Sequence, residues 1–347
     1  MLQRRTILQA ALFAALSAGR ARAESAPLRL AVFPDYNVAS VLESFSRRYG
    51  TAVNLHQFDS NEDLLAACVA GAEFDVLTLS HYMVPHFAAL GLLRPLSANV
   101  LASLQPGNWL PRLAHFGQIE QRWLAVPKNY GSTGFIYRAS KLPALTSWRQ
   151  FWDAISGPAS RRASVIEDVQ SLIGAALRYH GHSLNSTRPG ELLQAEAVLK
   201  KARPHLRAMT AEVDDAVLKG DWLAMAWSDS GYWLSQDDPD LRYVNPSDGG
   251  ELWCDFYAVT SHCPQPDVAE QLLEWLLHPV QIAQEVVALG VSPVDTRVLA
   301  LLPEAVRRNP IIFPSEQFLA NAEMSSQEAL REPLRGEIFA RFAASFR

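Results

Sequence analysis

"LRLAVFPDYNVASVLESFSRRYGTAVNLHQFDSNEDLLAACVAGAEFDVLTLS", residues 28–80, decides the fold class. It opens on a short apolar strand, "LRLAVFPDY" (28–36), and passes into "VASVLESFSRRYG" (38–50). There apolar residues recur at helical spacing until Gly50 stops them. "AVNLHQF" (52–58) reads as a second strand. "SNEDLLAACVAG" (60–71) has Ser60 as a cap with Asp63 three residues on, and turns helical. "FDVLTLS" (74–80) is apolar enough for a strand covered on both faces. Strand and helix alternating at this short period predict an α/β chain with a parallel sheet.

The pattern returns further along. "WLAVPKNYGSTGFIYR" (123–138) has two apolar stretches around a Gly/Ser/Thr segment, and "SWRQFWDAI" (147–155) is helical with Trp148, Phe151 and Trp152 on one side. "ASVIED" (163–168) predicts a strand and "VQSLIGAALRYHG" (169–181) a helix. "WLAMAWSDSGYWL" (222–234) is a strand turning helical near Ser228, and "LRYVNP" (241–246) and "LWCDFYAVT" (252–260) are strands. Two such regions in about 320 residues after the leader imply two lobes rather than one core. The expected division is 24–127 plus 258–347 for lobe one and 128–257 for lobe two. Residues 123–133 and 255–260 are the expected crossings.

"MLQRRTILQAALFAALSAGRARA" (1–23) is set apart as an export leader. Arg4 and Arg5 precede a hydroxyl residue and a short apolar run, the order of a twin-arginine signal, and "ARA" supplies a cleavage site near Ala23. The run is too short to span a bilayer, and no Cys stands at the cleavage site for a lipid anchor. The expected location is the periplasm. Removing the leader's four basic residues leaves 27 Lys+Arg against 36 Asp+Glu, so the net charge moves from −5 to −9. Such a balance repels nucleic acid and suits cationic ligands. Cys68, Cys254 and Cys263 are too few for a disulfide framework and read as buried small hydrophobes.

Motifs for nucleotide binding, zinc proteolysis or serine hydrolysis do not occur, and no nucleophile stands beside a base. The chain is not expected to be an enzyme, and no metal or other cofactor is expected. "HGH" (180–182) reads as a solvated helix end rather than a metal site. Aromatic and acidic residues instead gather where strands end: Phe33, Asp35 and Tyr36; Ser80, His81 and Tyr82; Asp168; Trp227, Ser228 and Asp229. Open α/β sheets bind ligands at such ends. In "GGELWCDFYAV" (249–259), alternation puts Leu252, Cys254 and Phe256 on one face and Trp253, Asp255 and Tyr257 on the other. Aromatics attract a cation by their faces, and a buried ammonium needs carboxylates.

With these residues in view, the chain resembles the spermidine/putrescine-binding periplasmic proteins of ABC transporters. The resemblance rests on "FDSNEDLLAAC…FDVLTLSHYMVPHFAALGLLRPLS", "VPKNYGSTGFIYR", "AMAWSDSGYW", "GGELWCDFYAV" and "GVSPV", in order and over nearly the whole mature chain. It implies a type II periplasmic-binding-protein fold: two α/β lobes, each a mostly parallel sheet flanked by helices, closing as a hinge. It implies a polyamine ligand, an ABC permease in the inner membrane as partner, and a monomer. Residue by residue, it implies Phe33, Asp35, Tyr36, Ser80, Tyr82, Asp168, Trp227, Trp253 and Asp255 as ligand-binding residues. Asp168 and Asp255 would be the carboxylates, and Trp227 and Trp253 the slabs.

The pattern is not complete. Ser171 stands where spermidine binders often have an acid, and Val291 where they often have Tyr. Near Ser325 a polar amide is often found. Lys128, near the hinge, is a cation unexpected in a polyamine cleft. These departures keep a zwitterion such as 4-aminobutyrate open, with Lys128 on its carboxylate. Ferric iron, thiamine or a phosphonate on the same fold, a polyamine sensor, and an exported enzyme are the further alternatives.

Overall fold

The computed structural model describes residues 26–34, 36–210 and 213–346; the leader and Asp35 lie outside the described residues. Strands β1 (Leu28–Val32), β2 (Val53–Gln57) and β3 (Val76–Ser80) form the first βαβαβ unit, with all pairs parallel. The intervening helices are Ala39–Tyr49 and Asn61–Val69. Gly50 ends the first in a left-handed conformation, φ 73°. Ser60 caps the second by accepting from the Asp63 N–H at 3.1 Å.

A small hairpin, β4 (Gln118–Ile119) and β5 (Arg122–Trp123), leads into β6 (Val126–Arg138). Lobe two holds β7 (Ala163–Ile166), β8 (Ala208–Thr210), β9 (Leu223–Trp227) and β10 (Leu241–Val244). The chain returns in β11 (Glu251–Val259) and adds β12 (Ser292–Pro293) and β13 (Glu323–Met324). The main sheet runs β2-β1-β3-β11-β6-β9-β7-β8, with β10 and β12 also on β6 and β13 on β11. Its outer triplets, β2-β1-β3 and β9-β7-β8, are parallel. Antiparallel pairing enters where β6 and β11 pass between the lobes.

Two separate apolar cores follow. One includes Leu30, Phe45, Leu79, Tyr130 and Phe256. The other includes Phe135, Phe151, Ile166, Leu199 and Met225. Along β6, Tyr130 lies in the first core and Phe135 in the second. β11 already faces the first core at Leu252, so the return crossing precedes it rather than falling at 255–260. The last helix, Pro333–Ala344, places Ile338 and Phe342 in the second core, against the expectation that all of 258–347 belongs to lobe one. The chain still packs on the first core at Met324 and Leu330 and reaches the second at Leu334. All three cysteines are free thiols, with Cys254 and Cys263 buried.

One irregularity positions the site. Along β6 and β11, Asp255 pairs with Asn129 but Phe256 pairs with Pro127. Lys128 is the unmatched residue of a β-bulge, and such a residue is re-aimed out of the ladder's alternation.

Candidate functional site

Before the bulge the ladder is regular. Glu251 faces Thr133, Trp253 faces Gly131 and Asp255 faces Asn129. Opposed residues share a face, so one surface reads carboxylate, aromatic, carboxylate along β11 and hydroxyl, glycine, amide along β6. Glycine is required at 131. A Cβ there would stand 2.1 Å from Trp253 Cζ2 and 2.5 Å from Ser228 Oγ.

Asp255 occupies one end, and only 5% of it is exposed. Ser80, its partner on β3, donates to Oδ1 at 2.7 Å. The Tyr36 hydroxyl lies 2.6 Å from Oδ2 and 2.5 Å from Asn129 Oδ1. That hydroxyl has one hydrogen, and Asn129 Nδ2 is buried without a partner. The conflict at Tyr36 is relieved when its hydrogen goes to Asp255 and the Asn129 amide turns to donate to the Tyr36 oxygen. Asn61 continues the network, donating to Ser80 Oγ at 3.0 Å and Tyr82 Oη at 3.1 Å. Burial pushes the Asp255 carboxyl up; the bonds from Tyr36 and Ser80 and the charge of Lys128 work against that.

Lys128 lies behind this end. Its Nζ is 3.1 Å from Glu285 Oε2, with side-chain exposures of 0% and 5%, and stands 4.2 Å from the Tyr36 ring centroid. The bulged lysine is thus an internal ion pair beneath an aromatic wall. Tyr257, two residues deeper on β11, is fully buried and accepts from Asn37 at 3.1 Å.

Glu251 occupies the other end, 8% exposed. Its Oε2 accepts from Thr133 at 2.9 Å and Ser171 at 2.6 Å, and its Oε1 accepts from Ser325 at 2.7 Å. Burial raises its pKa first, and the nearby charge of Asp168 adds to it. Asp168 caps the helix Val169–Arg178, accepting from the Ser171 N–H at 2.7 Å. The hydroxyls at 171 and 325, positions where the resemblance suggests an acid and an amide, therefore both serve one carboxylate supplied by the strand.

The remaining candidates lie around this row. Phe33 packs edge-on against Tyr36, 5.8 Å between centroids, and against Phe58 at 4.7 Å. Trp227 ends β9 opposite Thr133. Trp253 is partly exposed, and its Nε1 is buried without a partner. Val291 is core. His81 is buried against the Ser325 carbonyl, its pKa lowered to about 4 chiefly by burial.

Tyr36, Ser80 and Asp255 are brought into direct contact, with Tyr82 joined through Asn61; Asp168 stands at the Glu251 end. Asn61, Asn129, Glu251 and Asp229 were not among the expected ligand residues. Asp229 is raised to about 6, by burial first and in smaller part by Asp214 and Asp255. Glu251 did have a signal, since E-x-W-x-D places it on the face of Trp253 and Asp255. Among the described residues, no group of three or more His, Cys, Asp or Glu could hold a metal ion.

A family described as bacterial extracellular solute-binding protein matches residues 40–314. The chain is 23% identical over 303 residues to spermidine/putrescine-binding periplasmic protein 1 of Haemophilus influenzae, covering 84% of this chain and 82% of that one. It is 24% identical over 338 residues to a putrescine/agmatine-binding protein of Pseudomonas aeruginosa, covering 88% of each. Among solved structures, the spermidine/putrescine ABC transporter substrate-binding protein of Streptococcus pneumoniae superposes with a TM-score of 0.79 at 21% identity. That match covers 93% of this chain and 100% of that one. A GABA receptor superposes at 0.73 with 17% identity, covering 92% and 98%. These likenesses establish the two-lobed fold.

Proposed function

The chain belongs to the bacterial extracellular solute-binding proteins, and from that premise we propose that it delivers an organic polyammonium ion, held between its lobes, to an ABC permease. The carrying observation is Asp255: a buried carboxylate held by Tyr36 and Ser80, in one row with Trp253. Polyamine-binding relatives support the ligand class. The row offers aromatic area to a methylene chain and an anion to an ammonium group. No bond is made or broken; the ligand shifts the lobes toward the closed arrangement by contacting both.

Phe33, Asp35, Tyr36, Ser80, Tyr82, Asp168, Trp227, Trp253 and Asp255 remain the proposed contact set. Asp35 lies outside the described residues. A zwitterion would need a free cation for its carboxylate, and Lys128 is committed to Glu285. Export to the periplasm and a monomeric state complete the reading. No helix among the described residues is long and apolar enough to cross a membrane.

Calorimetric titration of the mature protein with putrescine, spermidine, spermine and 4-aminobutyrate tests this. Tight binding of one amine, lost in Asp255→Asn, is expected. Binding of the zwitterion alone, or of none by folded protein free of carried-over ligand, would sink the polyamine assignment.

A further inference from the structure

Glu251 and Asp255 are four residues apart on one face of an unbroken stretch of β11, with Trp253 between them. At the rise of an extended strand their backbone positions stand ~13 Å apart. From this row we propose that Glu251 is a second ammonium-binding carboxylate, so that one strand is a two-ended template for a diammonium ion. The proposal rests on the polyamine reading and deepens it by naming the residue that separates dications from monocations.

Three observations carry it. First, an ionised carboxylate has about four acceptor positions, and Glu251 receives three hydroxyl donors. One position is left for an N–H. Second, the end is short of positive charge. Asp168 lies beside Glu251, and Glu62 faces Asp168; Tyr82 feels all three acids. Two guanidinium groups stand near. Arg335 donates from Nη1 to the carbonyls of Leu184 and Ser186, while its Nε and Nη2 are buried without partners. Arg178 lines the same cavity as Glu251 and is paired with Glu323. Two cations against Glu62, Asp168, Glu251, Glu323 and Glu332 leave this end net negative. Third, Trp253 stands between the two carboxylates on the same face, opposite Gly131, so aromatic area lies where the methylene chain of a diammonium ion would run. In line between the two carboxylates, with a hydrogen bond of about 2.8 Å at each end, the nitrogens would stand roughly 7 Å apart. An extended diamine of four to six carbons reaches that far.

A latch role would also explain three hydroxyls on one carboxylate, and the experiment separates the two. Calorimetry on wild type, Glu251→Gln and Asp255→Asn would use α,ω-diamines of three to six carbons, spermidine and the monoamine butylamine. Losing one charged hydrogen bond costs ~10–100-fold in affinity. Glu251→Gln is expected to show that loss for the diamines with butylamine unchanged, while Asp255→Asn weakens both classes. Equal loss for mono- and diamines makes Glu251 a latch and overturns the inference. Unchanged diamine affinity, with Asp255→Asn still defective, overturns it while leaving the polyamine reading intact. No amine binding to wild type removes both.

If Glu251→Gln does not fold, Glu251→Asp, which keeps the charge on a side chain one methylene shorter, decides: it is expected to move the preferred α,ω-diamine to a longer chain. An unchanged chain-length preference overturns the proposal.

Discussion

The two ends of β11 carry the same functional group in different settings. Asp255 draws its donors, Tyr36 and Ser80, from lobe one, and a lysine stands behind it. Glu251 draws its donors from three segments: β6 at Thr133, the helix Val169–Arg178 at Ser171 and the residue after β13, Ser325. An end made by one lobe persists whatever the lobes do. An end made by several segments exists only when they are together. The comparison teaches that a cleft can hold one preset anchor and one anchor assembled by its own geometry.

The sharpest way to break this contrast is to remove its fixed cation. Lys128→Met leaves Glu285 buried without its ion-pair partner. A loss of about 3–5 kcal/mol of unfolding free energy is expected in urea titration. A loss under about 1 kcal/mol would mean that the Asp255 end is not preset by this pair. Next, Asp255→Asn is expected to weaken amine binding ~100-fold or more, because a buried charge partner is removed; a change under tenfold would demote that end.

Acidity sharpens the contrast further. Asp255, Glu251 and Asp229, the last at about 6, all stand above ordinary carboxyl values because burial disfavours their charged forms. A raised carboxyl contributes stability below its unfolded pKa that is lost as pH rises through its folded pKa. The ligand-free protein should therefore lose the stability contributed by Asp229 as pH rises from about 3.8 to about 6, with losses from Asp255 and Glu251 following the same sign. A proton on a raised carboxyl competes with a cation, so amine affinity is expected to fall as pH is lowered through the folded pKa values of Asp255 and Glu251. Affinity that rises on acidification would contradict carboxylate anchoring at either end. The smallest effect is expected of Ser171→Ala, which removes one of Glu251's three donors. It should cost about 0.5–1.5 kcal/mol of diamine affinity and leave butylamine unaffected. Equal losses for both amines would erase the distinction between the ends.

Much of this was legible in sequence because periodicity reports faces. The βαβαβ opening, the Ser60 cap, and the shared face of Trp253 and Asp255 on β11 follow from local spacing, whereas Tyr257, beyond the bulge, belongs to the first core. Asp255 stood out because a carboxylate within an apolar strand demands partners. Glu251 did not, since a Glu next to two glycines reads as the solvated start of a strand. Only the folded chain brings residues 133, 171 and 325 onto it. The role of Lys128 stayed open in the sequence for a similar reason: its partner is 157 residues away, and the bulge that turns it inward leaves no mark in residue type. The last helix was assigned to lobe one by chain order, whereas Ile338 and Phe342 pack by shape against lobe two.

The bulge at Lys128 also sets a rule of arithmetic. Downstream of it, odd-numbered residues of β6 from Asn129 to Thr133 share the face of Trp253 and Asp255, in phase with their partners on β11. One residue more or fewer in that stretch would exchange the two faces, turning side chains chosen for ligand toward core and those chosen for core toward ligand. Length changes in this segment are therefore tolerated in twos, or where a second bulge restores the phase. The cleft can be retuned by substitution at any of its positions, but its frame is inherited whole.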